Sequence, residues 1–157
     1  MNNSTFRKIM VATDGSELVK KAVATAIEIS KLENAKLYAV HVIPLDDYYS
    51  SIPLAIDAEW IEAMEEHLRI EGKEAVAYVE NAGREANVEV ESVILEGSPA
   101  NDIVDYAEKN DIDLIVMGSH GKTGIQRFLI GSVAENVVRH SKKPVLVVKK
   151  EPIEKGG

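Results

Sequence analysis

Five apolar runs alternate along the chain with segments whose apolar residues recur every three or four positions. Runs with uncharged interiors, which most of the five have, are typical of strands buried on both faces of a sheet, whereas the wider spacing is typical of one face of a helix. The predicted strands span residues 6–13, 35–43, 88–95, 113–117 and 145–149. The predicted helices span residues 17–31, 58–87, 99–109 and 132–141. Strand and helix therefore alternate from one end of the chain to the other.

This alternation predicts an α/β fold with a mainly parallel sheet. Each right-handed crossover returns over one face of the sheet, so we expect a Rossmann-like, three-layer α/β/α sandwich with five strands. The run at 88–95 begins with alternating polar and apolar residues, which indicates an edge strand. At 157 residues the chain suits one domain, predicted at 1–150, with residues 151–157 as a flexible tail.

The segment 44–57 does not fit this alternation. It holds Pro44, Pro53, a pair of tyrosines and a pair of serines. Proline removes a backbone donor and restricts the residue before it, so we expect a loop or lid of irregular structure here.

A segment framed by glycines follows the fourth predicted strand. Gly118 and Gly121 stand at the end of the apolar run, and Gly131 precedes the last predicted helix. Glycines let backbone N–H groups approach an anion closely, and the N-terminus of a helix favours negative charge beside it. Ser132 and Glu135 have the spacing of a capping box, in which both side chains would satisfy the first amides of that helix. The segment is therefore predicted to wrap phosphates at the carboxyl end of a buried strand.

Two alternatives compete with phosphate binding. The glycines could merely permit turns in a flexible connection, although a segment of this length without regular structure is long for an α/β unit. A Walker A loop would need a glycine where Val116 stands and a helix that begins at Lys122. Within the segment, His120, Lys122 and Arg127 could face phosphate oxygens or could lie in solvent.

Asp14 is the second candidate for a binding role, because it follows the first predicted strand directly. A carboxylate fixed there could accept hydrogen bonds from a ribose hydroxyl or a base amine, or Asp14 or Ser16 could instead cap the next helix. The first strand of such a sheet is normally central, which would place Asp14 and Gly118 at the same edge. His41 lies inside an apolar run, where a lone histidine is more often a packing residue than a ligand.

Composition and charge narrow the classes of function. The chain has 18 basic and 26 acidic residues and a formal net charge of −8, which disfavours tracking the phosphate backbone of a nucleic acid. It has no cysteine, so thiolate catalysis and cysteine-based metal sites are excluded. No apolar run approaches the roughly 20 residues that span a bilayer, and the N-terminus lacks a signal-peptide core. We therefore expect a cytoplasmic protein that binds neither nucleic acid nor membranes.

The glycine pattern also resembles a known family. Gly118, Gly121, Gly131 and Ser132 match the spacing G-x2-G-x9-G-[S/T] that is typical of the ATP-binding branch of the universal stress proteins. The resemblance covers the whole chain, because further family-like segments occur in order at 13–14, 41–42, 97–99, 117–121 and 143–148. It implies the universal stress protein fold, which is similar to that of the adenine nucleotide alpha hydrolases.

The resemblance also implies a set of nucleotide-binding positions. It implies that Ala12, Thr13 and Asp14 contact the nucleoside, and that backbone atoms of Val42 contact adenine. The positions it implies for ribose and phosphates are Met117, Gly118, Ser119, His120, Gly121, Lys122, Thr123, Gly131, Ser132 and Val133. Mg²⁺ or Mn²⁺ could accompany the phosphates with Ser132 as a ligand, and no residue is assigned a catalytic role. Similar proteins form homodimers through the last strand, here 145–148.

Three functions follow from these observations. The first is an ATP-binding regulatory protein in a stress response, whose nucleotide state changes the segment 44–57 or the dimer and thereby the binding of an unknown protein partner. The second is a slow metal-dependent ATPase or phosphotransferase, which would need a positioned nucleophile and neutralised charge. The third is a structural dimer that has lost nucleotide binding, and the intact glycine motif argues against it. The absence of an evident catalytic base favours the first function over an efficient enzyme.

Overall fold

The computed structural model describes residues 4–121 and 130–149, and there the chain forms one parallel sheet flanked by helices. The strands are β1 (Lys8–Ala12), β2 (Lys36–Ile43), β3 (Val90–Glu96), β4 (Leu114–Gly118) and β5 (Val145–Val148). The helices are α1 (Lys20–Glu33), α2 (Leu45–Ser51), α3 (Ala58–Glu85), α4 (Pro99–Lys109) and α5 (Ser132–His140), with a 3₁₀ turn at Glu17–Val19. The strand order is β3-β2-β1-β4-β5, and all the pairings are parallel.

Two apolar clusters, one on each face of the sheet, hold the layers together. One cluster joins residues such as Ile9 and Val11 of the sheet to α1 and α3. The other joins residues such as Met10 and Ile115 to α4 and α5. Alternate residues of the central strands therefore serve opposite faces, as the period of a strand requires. The predicted three-layer α/β/α sandwich, the central position of β1 and the edge position of β3 are confirmed.

Helix α3 lies close to the sheet where its sequence has glycine. A Cβ atom added at Gly83 would overlap Cγ2 of Val90 on the edge strand. A Cβ atom at Gly72 would lie 2.9 Å from Cδ2 of His41 in β2. Both glycines are buried. Although glycine costs helix stability, these two positions allow a long helix to pack directly on the sheet.

The predicted irregular structure at 44–57 is wrong in part, because residues Leu45–Ser51 form α2. Pro44 occupies the N-cap position, where its missing N–H costs no intrahelical hydrogen bond. Pro53 lies beyond the end of the helix. The two prolines that suggested a loop therefore flank a helix.

Two predicted helix starts are also corrected. Asp14 or Ser16 was the alternative cap for a first helix predicted from residue 17, but α1 begins at Lys20, after the 3₁₀ turn, and Asp14 instead closes a local turn with Ser16. Ser132 does not cap α5, because Gly131 is the N-cap residue and accepts the hydrogen bond from the N–H of Glu135. The Glu135 carboxylate pairs with Arg139 one turn later. The capping-box spacing was therefore offset by one residue from the true start of the helix.

Across residues 4–121 and 130–149, no helix combines the length and apolarity that a bilayer crossing needs.

Candidate functional site

The candidate site lies where the strand order reverses. The chain leaves β1 for its neighbour β2 on one side, and β4 lies on the other side. Connections therefore diverge at the carboxyl ends of β1 and β4, which opens a crevice at that edge of the sheet. A cavity of about 530 Å³ occupies the crevice. This volume lies in the range typical of small-molecule sites.

The structure brings the predicted binding residues together around this cavity. The lining residues among them are Ala12, Thr13, Asp14, Val42, Met117, Gly118, Ser119, His120, Gly121, Gly131, Ser132 and Val133. Lys122, Thr123 and Arg127 lie outside the described residues. Other lining residues were not predicted, and they are Val19, Val40, His41, Pro44, Asp47, Tyr48, Ser51, Leu68, Glu71, Pro99, Ile103 and Ala134.

Asp14 borders the cavity and is fixed by its own turn. Its Oδ1 accepts hydrogen bonds from the N–H of Ser16 at 2.9 Å and from the Ser16 hydroxyl at 2.6 Å. The other carboxylate oxygen faces Gly121, where an added Cβ atom would lie 2.7 Å from it. The φ angle of Gly121 is outside the left-handed region, so closeness to Asp14, not backbone conformation, is what requires glycine there.

The two ends of the glycine segment are joined by a main-chain hydrogen bond. The N–H of Gly131 donates to the carbonyl of Ser119, and the N–H of Ser119 donates to the carbonyl of Val148 in β5. The hydroxyl of Ser119 lies 3.1 Å from Nδ1 of His120, and both side chains are buried. The N-terminus of α5 is thereby held beside the carboxyl end of β4, with Ser132 as its first helical residue.

Another part of the cavity wall is apolar and offers main-chain groups. Its walls include Ala12, Val40, Ile103 and Met117. The pairing of β1 with β2 ends where the N–H of Thr13 donates to the carbonyl of Val40 at 2.9 Å. Because main-chain groups of a strand face the same side at every second residue, the N–H and C=O of Val42 face the space beyond the end of β1. These groups form a donor and an acceptor side by side.

His41 connects the sheet to the Asp14 turn. Its Nδ1 lies 2.8 Å from the carbonyl oxygen of Thr13, and because a carbonyl can only accept, Nδ1 carries the proton. The ring is buried between the sheet and Gly72 of α3. The structure thus gives His41 the packing role that the sequence favoured, and it also places His41 on the cavity wall.

Helix α2 forms one wall of the cavity through Pro44, Asp47, Tyr48 and Ser51. The Tyr48 ring stacks on Trp60 at the start of α3, with ring centroids 6.4 Å apart and an interplanar angle of 21°. Removal from water raises the pKa of the Tyr48 phenol, and the negative charge of Glu65 raises it further. No periodic pattern in the sequence predicted these residues as part of the site. Because they directly follow β2, they lie at the edge of the sheet where the parallel strands end.

Contacts at both ends hold α2 in place. The Tyr49 hydroxyl donates a hydrogen bond to Glu65 of α3, which also pairs with Arg69. At the other end, the N–H of Asp46 donates to the carbonyl of Gly97 at 3.2 Å, just after the edge strand. The wall of the cavity is therefore tied to both α3 and the end of β3.

Comparison with known proteins identifies the family. The family model described as the universal stress protein family matches residues 5–149. Universal stress protein MJ0531 of Methanocaldococcus jannaschii is 43% identical over 145 residues, which cover 92% of this chain and 83% of that protein. The solved structure of protein MJ0577 from the same organism is 32% identical, with a TM-score of 0.81, 95% of this chain covered and 99% of that chain.

A third similar protein was solved with a nucleotide. The universal stress protein from Archaeoglobus fulgidus in complex with dAMP is 28% identical, with a TM-score of 0.65, 92% of this chain covered and 99% of that chain. The family match and the similar structures span nearly all of the chain, so the resemblance seen in the glycine pattern is confirmed. The chain belongs to the universal stress protein family.

Proposed function

We propose that this protein binds ATP in the cavity at the carboxyl ends of β1 and β4 and acts as a nucleotide-dependent regulatory protein. One observation carries the proposal: the lining of one cavity includes both apolar residues beside the main-chain groups of Val42 and the polar groups of Asp14 and of the ends of the glycine segment. A nucleotide has the same division, with a flat base at one end and phosphates at the other.

The Val42 groups favour adenine over guanine. Adenine presents an acceptor at N1 beside a donor at N6, which complements the N–H and C=O of Val42. Guanine presents a donor at N1 beside an acceptor at O6, so both groups would face like groups. A site whose buried polar groups are left unpaired rejects the wrong ligand strongly. The apolar walls at Ala12 and Met117 would then cover the faces of the base.

The polar groups of the cavity lining suit ribose and phosphates. The Asp14 carboxylate, held by its turn, can accept a hydrogen bond from a ribose hydroxyl. The amides of the glycine segment and the N-terminus of α5 can hold phosphate oxygens, because a helix start carries partial positive charge. The roles proposed for Lys122 and Thr123 rest on the sequence alone. The dAMP complex of the similar protein from A. fulgidus supports the binding of an adenine nucleotide.

A divalent cation would fit beside the phosphates. Ser132 is the first helical residue of α5, and it borders the cavity. Mg²⁺ and Mn²⁺ prefer oxygen ligands, and Mg²⁺ is usually bound through a few protein oxygens together with substrate phosphates. We assign Ser132 as the side chain that would hold the ion, which would offset phosphate charge.

Isothermal titration of nucleotide-stripped protein tests this function. ATP with Mg²⁺ should bind with a dissociation constant below about 1 mM, which corresponds to about −4.1 kcal/mol. GTP should bind at least about 10-fold more weakly, a difference of about 1.4 kcal/mol, because Val42 would face like groups. Absence of ATP binding at millimolar concentration would sink the proposal, and equal affinity for GTP would refute the role of Val42.

We also propose a homodimer through the edge strand β5 (Val145–Val148). Leu146 in this strand and Val138 in the adjacent α5 are exposed large apolar residues. An edge strand with apolar side chains can pair with a second copy across a two-fold axis. Sedimentation should therefore show a dimer at micromolar concentration, and Leu146→Lys should shift it to monomer. A Leu32→Lys variant is the matched control, since Leu32 is exposed on α1.

A further inference from the structure

We propose that the outer face formed by α2 and the start of α3 is a docking surface for a cationic, apolar segment of a partner protein. We call this surface the acidic aromatic face, and its apolar members are Tyr49, Leu54 and Trp60. The docking surface does not depend on nucleotide binding. Only its coupling to the cavity rests on the proposed function.

Large apolar side chains project from this face into solvent. Tyr49 is 49% exposed, Trp60 is 46% exposed, and Leu54 in the connection between the two helices is fully exposed. Tyr48 joins two of them, because its ring centroid lies 5.7 Å from that of Tyr49 and 6.4 Å from that of Trp60. Aromatic residues held by neighbouring rings are typical anchors of protein interfaces.

The charge of this face is mainly negative, with Arg69 paired to one of its carboxylates, Glu65. Between Pro44 and Glu66 the chain has seven carboxylates and no lysine, arginine or histidine. Glu59, Glu62 and Glu66 follow at intervals of three and four along α3, so they share one side of the helix. The seven carboxylates give this segment a formal charge of −7, close to the net charge of −8 of the whole chain. Complementary charge therefore requires lysine or arginine on the partner.

The exposed apolar side chains and the negative charge together favour one kind of binding partner. An exposed apolar patch surrounded by carboxylates fits a segment with aliphatic anchors and basic flanks, as on a basic amphipathic helix. The anionic surface of a membrane and the phosphates of a nucleic acid would both be repelled. A second copy of this chain would present the same negative charge at a two-fold contact. We therefore assign the face to a different protein.

Tyr48 gives the face a direct contact with the nucleotide cavity. Tyr48 borders the cavity, and its ring also stacks on Trp60 of the acidic aromatic face. A nucleotide that packs against Tyr48 would reduce the motion of this stack, so a partner would lose less entropy when it binds Trp60. Nucleotide binding should thus tighten partner binding, with a coupling of about 5-fold.

The docking surface can be tested with a defined probe. The probe is a fluorescein-labelled 14-residue amphipathic peptide of leucine and lysine, and its control replaces every lysine with glutamate. Fluorescence anisotropy should show binding of the lysine peptide only. Trp60→Ala and, separately, Leu54→Ser should each weaken it at least 5-fold. Leu32→Ser, which removes an exposed leucine from α1, should leave it unchanged.

The acidic contribution is tested with matched pairs of charges. Glu59→Gln combined with Glu62→Gln should weaken peptide binding at least 5-fold. Glu28→Gln combined with Glu85→Gln removes the same charge from exposed positions away from the face and should change it less than 2-fold. Equal losses in both pairs, or no loss in Leu54→Ser, would mean non-specific attraction and would overturn the proposal. Binding of phosphatidylserine vesicles, or self-association lost in Leu54→Ser, would assign the face to a membrane or a second copy instead.

The coupling has its own readout. Saturating ATP should tighten peptide binding about 5-fold in the wild type, and the effect should disappear in Tyr48→Ala while Leu32→Ser retains it. If titration shows ATP binding and the peptide affinity stays the same, the coupling is wrong and the nucleotide site stands. If ATP does not bind but the peptide does, the proposed function fails and the docking surface stands.

Discussion

Replacing Gly121 with valine should lower the affinity for ATP about 100-fold, which corresponds to about 2.7 kcal/mol. A Cβ atom there would lie 2.7 Å from Oδ2 of Asp14. The carboxylate cannot move aside cheaply, because Oδ1 is held by both the N–H and the hydroxyl of Ser16. The valine would therefore displace the group proposed to hold the ribose, and its methyl groups would enter the cavity. Isothermal titration measures the loss.

A double-mutant cycle separates the two parts of this effect. Asp14→Ala alone should weaken ATP binding about 10-fold, the loss expected for one hydrogen bond to a charged group. In that background Gly121→Val should cost clearly less than it does alone, because the displaced carboxylate is already absent. Ala24→Val, at an exposed position on α1, is the control for added size. Additive losses would show that Gly121 does not act through Asp14.

Replacing Gly83 with valine should destabilise the fold by about 2–3 kcal/mol. Any Cβ atom at this position overlaps Cγ2 of Val90 and lies 3.3 Å from the carbonyl oxygen of Val88. Helix α3 would have to move away from the edge strand, although valine itself is tolerated in a helix better than glycine. The free energy of unfolding from urea titration measures the effect, with Asn81→Val at an exposed position of α3 as control.

A second substitution should relieve the clash at position 83. Val90→Ala removes the atom that a side chain at position 83 would meet, so the two changes together should be less harmful than their sum by at least about 1 kcal/mol. The remedy is partial, because the carbonyl of Val88 remains close. If Gly83→Val is no more harmful than Asn81→Val, the close contact between α3 and β3 is wrong.

Much of the fold could be predicted from the sequence, because burial determines the pattern directly. The runs that became β2 and β4 are almost wholly buried, and apart from His41 their buried positions hold apolar residues or glycine. The long helix predicted at 58–87 is α3, Ala58–Glu85. Helix α2 was not predicted because it is short and is stabilised mainly by contacts with residues that are distant in the sequence. Its tyrosines stack on Trp60 and bond to Glu65, which lie in a different helix.

The candidate site could likewise be predicted from the sequence only in part. Gly118, Gly121 and Asp14 could be singled out because they directly follow strands whose ends meet in a parallel sheet. The start of α5 at Ser132 was predicted, but its N-cap was misplaced by one residue, because the hydrogen bond between Gly131 and Ser119 cannot be read from a local spacing. The α2 wall could not be found at all, since its residues become neighbours of the glycine segment only when the sheet has formed.

The hydrogen bond that joins Ser119 to Gly131 has a consequence for how sequence changes are tolerated. Because it fixes both ends of the segment, residues can be added or removed between them without moving β4 or α5. The free energy of closing a loop rises by only about 0.6 kcal/mol for each doubling of its length. The length of the segment can therefore vary almost independently of the stability of the sheet.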